Sequence, residues 1–176
     1  MNVYINPPRD QWDRLLARPL IPIDELEKSV VPILQAVKKE GDKALLRFTE
    51  RFDKVALKNM RLTEAEIAKA KGIVGEALKA AIQIAKNNIE CFHQAQHEAT
   101  QQIETMPGVL CWRKSLGIPA VGLYIPGGTA PLFSTILMLG IPAALAGCQR
   151  RVLCSPPNAK GELDPTVVYT ASLLGI

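Results

Sequence analysis

PAVGLYI (119–125), PGGT (126–129) and LFSTILML (132–139) form the run of sequence from which the architecture follows. A near-continuous apolar stretch ending in Pro126-Gly127-Gly128 reads as a buried strand leading into a glycine turn. Thr129 and Pro131 then open a helix, since proline suits a first helical turn. Gly140 and Pro142 are expected to break or kink that helix, Ala143 to Ala146 to add a turn, and Gly147 to close it. The next buried strand is Arg151 to Cys154 (RVLC). Strand, helical crossover and strand make a right-handed βαβ unit with parallel strands. Beyond it, Asp164 and Pro165 start a helix through VVYTASLL, with a cap signal at Gly175.

Upstream, the first hundred residues read as helices separated by turn signals. Asp10 to Ala17 forms a short opening helix that stops before Pro19. From Asp24 to Lys39, the positions Leu26, Val30, Ile33, Leu34 and Val37 recur at helical spacing; Pro32 is expected to kink the run and Gly41 to cap it. Asp42 is placed to cap a third helix reaching Phe52. Val55 to Leu62 reads as an extended connector with strand potential. Thr63 and Glu66 form a capping box for a helix running toward Lys71, before Gly72 and Gly75. Leu78, Ile82, Ala85, Ile89 and Phe92 share one face of a longer helix. Gln101 to Met106 and Val109 to Arg113 are two extended runs around Pro107-Gly108, a hairpin signature.

The fold class is therefore α/β: a helical region with a short hairpin over residues 1–117, part of a first α/β domain, then the start of a Rossmann-like nucleotide-binding layer over 118–176. Two strands are too few to cover a doubly wound layer, so the sheet is expected to continue beyond Ile176. An open sheet edge predicts self-association or marginal stability for the piece in isolation.

Composition narrows the function. The 176 residues are 48% hydrophobic and carry a net charge of +4, spread without a basic block, while aromatics are only 5%. Nucleic-acid binding has little support in that pattern. Gly117 to Gln149 has no charged residue, but prolines at 119, 126, 131 and 142 interrupt it, and it reads as core rather than a membrane span. The amino terminus has no apolar signal segment, which points to the cytoplasm. Cys91, Cys111, Cys148 and Cys154 lack the close spacing of zinc or redox pairs and are expected to be buried, reduced thiols. His93 and His97 stand four apart, yet HQAQH lacks the HExxH glutamate, and a polar helix end is the better reading.

A glycine-rich strand-to-helix turn lets backbone N–H groups and a helix dipole meet an anionic ligand, although the same glycines serve a plain βα turn. Neither GxGxxG nor GxxxxGK[ST] is present. Tyr124, at the end of the strand, reads equally as a core aromatic or a ligand contact. Ser134 and Thr135 near the helix start are better read as caps or back-bonded hydroxyls.

The string VGLYIPGGTAPLFSTILMLGIPAALAGC followed by VLCSPP resembles the histidinol dehydrogenase family, and GDKALLRFTERFDK and KNNIECFHQAQ are similar to it as well. The resemblance implies an aldehyde-dehydrogenase-like fold and a homodimeric enzyme of histidine biosynthesis. It implies oxidation of L-histidinol through L-histidinal to L-histidine with NAD, and one zinc per site. Carried onto this sequence, Tyr124 matches the family's NAD-contacting tyrosine. The family's catalytic Glu-His pair and zinc ligands fall beyond Ile176, so no catalytic or metal residue maps here and residues 1–176 are expected to be inactive alone. A stand-alone nucleotide-binding or assembly module is the alternative. A cysteine-dependent aldehyde dehydrogenase or glutamyl phosphate reductase is a third reading, for which no cysteine here is suitably placed.

Overall fold

The computed structural model describes residues 3–18, 23–127 and 131–176. They fall into two compact units, Met1–Ala44 and Leu45–Ile176.

In the first unit, a 3₁₀ turn over Arg9–Gln11 runs into α1, Trp12–Leu16, matching the expected opening helix. The Trp12 indole Nε1 donates to the Pro7 carbonyl at 3.0 Å, and the Arg9 guanidinium lies over its ring. Pro19, the expected stop, falls outside the described residues. Helix α2, Ile23–Glu40, continues through Pro32. Proline there deprives the Lys28 carbonyl of its helical donor, and Lys28 is exposed, where water can replace that donor. No residue of α2 is buried. Gly41 ends it in the left-handed region at φ 61°, its N–H donating to the Val37 carbonyl at 2.8 Å. Asp42 was expected to cap the next helix; instead it is the first residue of α3, Asp42–Asp53, and the Gly41 carbonyl accepts from Ala44 N–H.

The second unit begins within α3 and holds the rest of the chain. The expected strand over Val55 to Leu62 does not form. Val55 is instead buried and, with Leu57, approaches Gly161, whose φ of +80° suits only glycine without strain. Thr63 caps α4, Glu64–Ile73, in a complete capping box: the Thr63 hydroxyl accepts from Glu66 N–H, and a Glu66 carboxylate oxygen accepts from Thr63 N–H at 2.7 Å. Gly72 lies inside this helix, while Gly75 stands at the cap of α5, Glu76–Gln94. Of the expected apolar face of α5, Ile82 is buried and Ala85 and Ile89 pack beside it, but Leu78 and Phe92 stay exposed.

The hairpin forms as expected. β1, Gln102–Met106, pairs antiparallel with β2, Val109–Trp112, and Gly108 turns between them at φ 81°. Every residue of both strands is exposed.

β3, Ala120–Tyr124, pairs in parallel with β4, Arg150–Cys154, in a register that sets Tyr124 beside Cys154. Between them runs α6, Phe133–Leu145. The expected break at Gly140 and Pro142 is absent, and the helix is continuous through both. Gly140 is a packing residue rather than a breaker: a Cβ there would meet Leu174 Cδ1 at 2.8 Å and Ile176 Cδ1 at 3.0 Å. Pro142 leaves the Met138 carbonyl without its helical donor, and Met138 is on the exposed side. Asp164 caps α7, Pro165–Leu173, accepting from Thr166 N–H at 2.8 Å and Val167 N–H at 3.4 Å.

Two apolar clusters fix these elements. Ile82, Leu137 and Ile141 join α5 to α6, with Tyr169, Leu173 and Leu174 alongside. Ile125, Ile136 and Val167 join the end of β3 to α6 and α7. The Arg151 guanidinium ties strand to helix end, donating to the carbonyls of Cys148 at 3.0 Å and Leu174 at 3.2 Å. The α5–α6 contact carries the second unit across the 117/118 position at which sequence composition changes.

Candidate functional site

Ligands of parallel α/β layers gather outside the carboxyl ends of the strands, where the chain turns away from the sheet and leaves a crevice. In this protein that edge is formed by Tyr124, Ile125, Pro126 and Gly127 after β3 and by Ser155 to Asn158 after β4. Pairing extends one step past the strand, Ile125 N–H donating to the Cys154 carbonyl at 3.0 Å, while the Ile125 side chain is buried against Ile136 and Val167. Alternation then turns the neighbouring Tyr124 away from that cluster. It is 64% exposed, so it is not a core aromatic.

Gly127 follows at a point of close approach. A Cβ at this position would lie 2.8 Å from Pro156 Cγ, so the turns after the two strands lean directly on each other. The remainder of the glycine turn, Gly128 and Thr129, lies outside the described residues. Ser134 and Thr135 are inside α6, with Thr135 N–H donating to the Leu132 carbonyl at 3.1 Å.

The turn after β4 is held firmly. Asn158 Oδ1 accepts from Lys160 N–H at 2.8 Å and from Glu162 N–H at 3.0 Å, and Asn158 N–H donates to the Glu162 carbonyl at 2.9 Å. Glu162 reaches Lys69 on α4 at 3.2 Å. Behind this loop lies a cavity of about 540 Å³ bounded by the end of α3, the 57–63 connector and residues 155–157. Residue patterns did not single it out, because its walls come from segments about a hundred residues apart and none has a periodic signature. A smaller space of about 120 Å³ lies between α4 and the start of α7.

The carboxylate most altered by its surroundings is Glu66. Hydrogen bonds from the Thr63 backbone and hydroxyl hold its pKa below the usual carboxylate range, with Lys69 adding to the effect. That is the electrostatics of a helix cap rather than of a catalytic group.

His93 and His97 are not brought together. His93 Nδ1 is 2.8 Å from Gln96 Oε1 and its ring meets Phe92 edge-on, whereas His97 lies past the end of α5. Among the described residues no group of three or more His, Cys, Asp or Glu side chains is placed to hold a metal ion. The expectation of buried thiols is corrected: Cys148 is buried, but Cys91, Cys111 and Cys154 are exposed. The hairpin carrying Cys111 packs on no other layer, and Cys154 ends a strand whose ladder has one partner.

The histidinol dehydrogenase family model matches residues 16–176. The chain belongs to the histidinol dehydrogenase family. It is 49% identical over its whole length to histidinol dehydrogenase of Bacteroides thetaiotaomicron, covering 41% of that protein. It is 49% identical over 168 residues to the histidinol dehydrogenase of Pectobacterium atrosepticum, covering 95% of this chain and 37% of that one. The crystal structure of histidinol dehydrogenase from Elizabethkingia anophelis superposes with a TM-score of 0.91 at 48% identity, over 98% of this chain and 40% of that chain. The chain thus spans about two fifths of the length of these family members and corresponds to their amino-terminal portion. None of its described helices is long and apolar enough to cross a membrane.

Proposed function

We propose that this chain supplies part of the NAD-binding framework of a cytoplasmic, homodimeric histidinol dehydrogenase, which oxidises L-histidinol through L-histidinal to L-histidine. The observation that carries the cofactor reading is Tyr124: an exposed aromatic ring at the carboxyl end of a parallel strand, followed at once by a glycine turn. A flat ring beside small residues offers a dinucleotide a stacking surface, and the hydroxyl adds a polar handle. Buried polar networks are absent from this edge, so the binding surface is open and built from backbone and ring.

Zinc does not fit these residues. Without a cluster of metal-ligating side chains among the described residues, neither Lewis-acid assistance nor activation of the alcohol can be assigned to them. The general base and the metal ligands of the family therefore belong to sequence outside residues 1–176, and no step of hydride transfer is assigned to this chain. Its contribution is to bind and orient.

Calorimetric titration of the 176-residue chain with NAD tests this, alongside Tyr124→Ala. Saturable binding weakened about tenfold or more in the variant is expected, from loss of an aromatic contact and its hydroxyl bond. Binding equal in both proteins, or none in either, overturns the assignment. Histidinol-dependent formation of NADH by this chain alone is expected to be nil.

A further inference from the structure

The cavity behind the β4 turn adjoins the candidate cofactor edge, and its chemistry is graded. Half-buried Leu57, Leu62, Pro156 and Leu163 give it apolar walls, while Lys58 and Arg61 stand exposed at its rim with Asp53 on the α3 side. Its volume, about 540 Å³, lies within the range of small-molecule sites. Pro156 belongs both to this wall and to the contact with Gly127, so the surface from Tyr124 through the glycine turn runs without interruption into the cavity. One wall is preorganised by the Asn158 hydrogen bonds and the Lys69–Glu162 ion pair, and the other by the Thr63 capping box. Ordering of these loops is thus not a cost that a ligand must meet on binding.

We infer that this cavity receives the nucleoside-phosphate half of a dinucleotide, the half away from the reacting ring. The apolar walls suit the faces of a purine. Lys58 and Arg61 suit a phosphate, as charge-assisted donors toward a dianion. Asp53, acceptor-only when ionised, suits the vicinal hydroxyls of a ribose. An apolar metabolite would leave two cations and a carboxylate without use, and a free inorganic anion would leave the apolar walls unfilled. The assignment deepens the NAD reading of Tyr124 and rests on it for the identity of the whole cofactor, but the cavity's preference can be tested separately.

The probe is adenosine monophosphate, titrated into the 176-residue chain and followed by calorimetry and by amide chemical shifts. Saturable binding is expected, with shifts at Leu57, Leu62 and Leu163, and at least tenfold weaker affinity in Lys58→Glu and in Arg61→Glu. Lys114→Glu, an exposed site outside the cavity with the same change in net charge, and Tyr124→Ala should both bind as the parent does. Far-UV circular dichroism checks that each variant is folded. Failure of the nucleotide to saturate at millimolar concentration overturns the inference, as does equal weakening by Lys114→Glu. NAD binding that depends on Tyr124 but ignores Lys58 and Arg61 would sink the inference while leaving the cofactor reading intact. Nucleotide binding that depends on Lys58 and Arg61, with NAD indifferent to Tyr124, would do the reverse.

Discussion

Ile82 and Ile84 sit two residues apart on α5, and they provide a test of how this chain is held together. Ile82 is 1% exposed in the cluster with Leu137 and Ile141, whereas Ile84 is 61% exposed. Replacing either by alanine changes helix propensity by the same few tenths of a kcal/mol, in alanine's favour. The two therefore differ in packing alone. Ile82→Ala removes three buried carbons at about 0.8 kcal/mol each and leaves a cavity between α5 and α6, giving a total of about 2–5 kcal/mol. Ile84→Ala should stay within about 0.5 kcal/mol of the parent. Urea unfolding followed by far-UV circular dichroism reads this directly. With a slope of roughly 2 kcal/mol per molar, Ile82→Ala should lower the midpoint by about 1–2 M and Ile84→Ala should hardly move it. If the isolated chain has too little stability to survive that loss, Ile82→Val, costing about 0.5–1.5 kcal/mol, gives a measurable midpoint instead. Equal midpoints for the Ile82 and Ile84 variants would refute the packing of α5 on α6 described above.

Two further outcomes follow from the caps. Asp164→Ala should destabilise α7 by about 1 kcal/mol, because two backbone donors at its amino end lose their acceptor, and Asp164→Asn should recover most of it; indifference in thermal unfolding would contradict the cap. Glu66 has its pKa lowered in the folded chain, so its contribution is present above the ordinary carboxylate range and is lost as pH falls through the lowered value. In Glu66→Gln the stability profile should lose that acid-side decline while remaining close to the parent in salt dependence elsewhere, and a variant with an unchanged acid limb would show that the capping box is not linked to folding.

Much of the secondary structure could be read from local chemistry. The Thr63 and Glu66 box, the Gly41 and Gly108 turns, the hairpin and the Asp164 cap each depend on side chains within a few residues, and each appears where it was expected. The strand at 119–125 was evident from its apolar run. The misreadings share a cause. Gly140 and Pro142 carry the signature of a helix break, yet the docking of Leu174 and Ile176 against Gly140 stabilises an unbroken α6. Val55 to Leu62 has strand composition but meets no partner strand, and its burial against Gly161 takes the place of a ladder. The cysteines were assigned by residue type, whereas burial depends on which layers meet, and only Cys148 is covered.

The candidate site divides in the same way. Sequence located Tyr124 and the glycine turn, because strand and turn are contiguous and their chemistry is local. It could not tell whether the ring was core or surface, since alternation fixes two faces without naming which is covered; the packing of Ile125 on Ile136 and Val167 did that. Nor could it find the cavity, whose walls are segments near residues 57 and 156 that meet only when β4 and α4 are brought together by the fold. Local hydrogen bonding and apolar period set the elements and the family, while close packing between distant segments set which side chains are exposed and where a ligand has room.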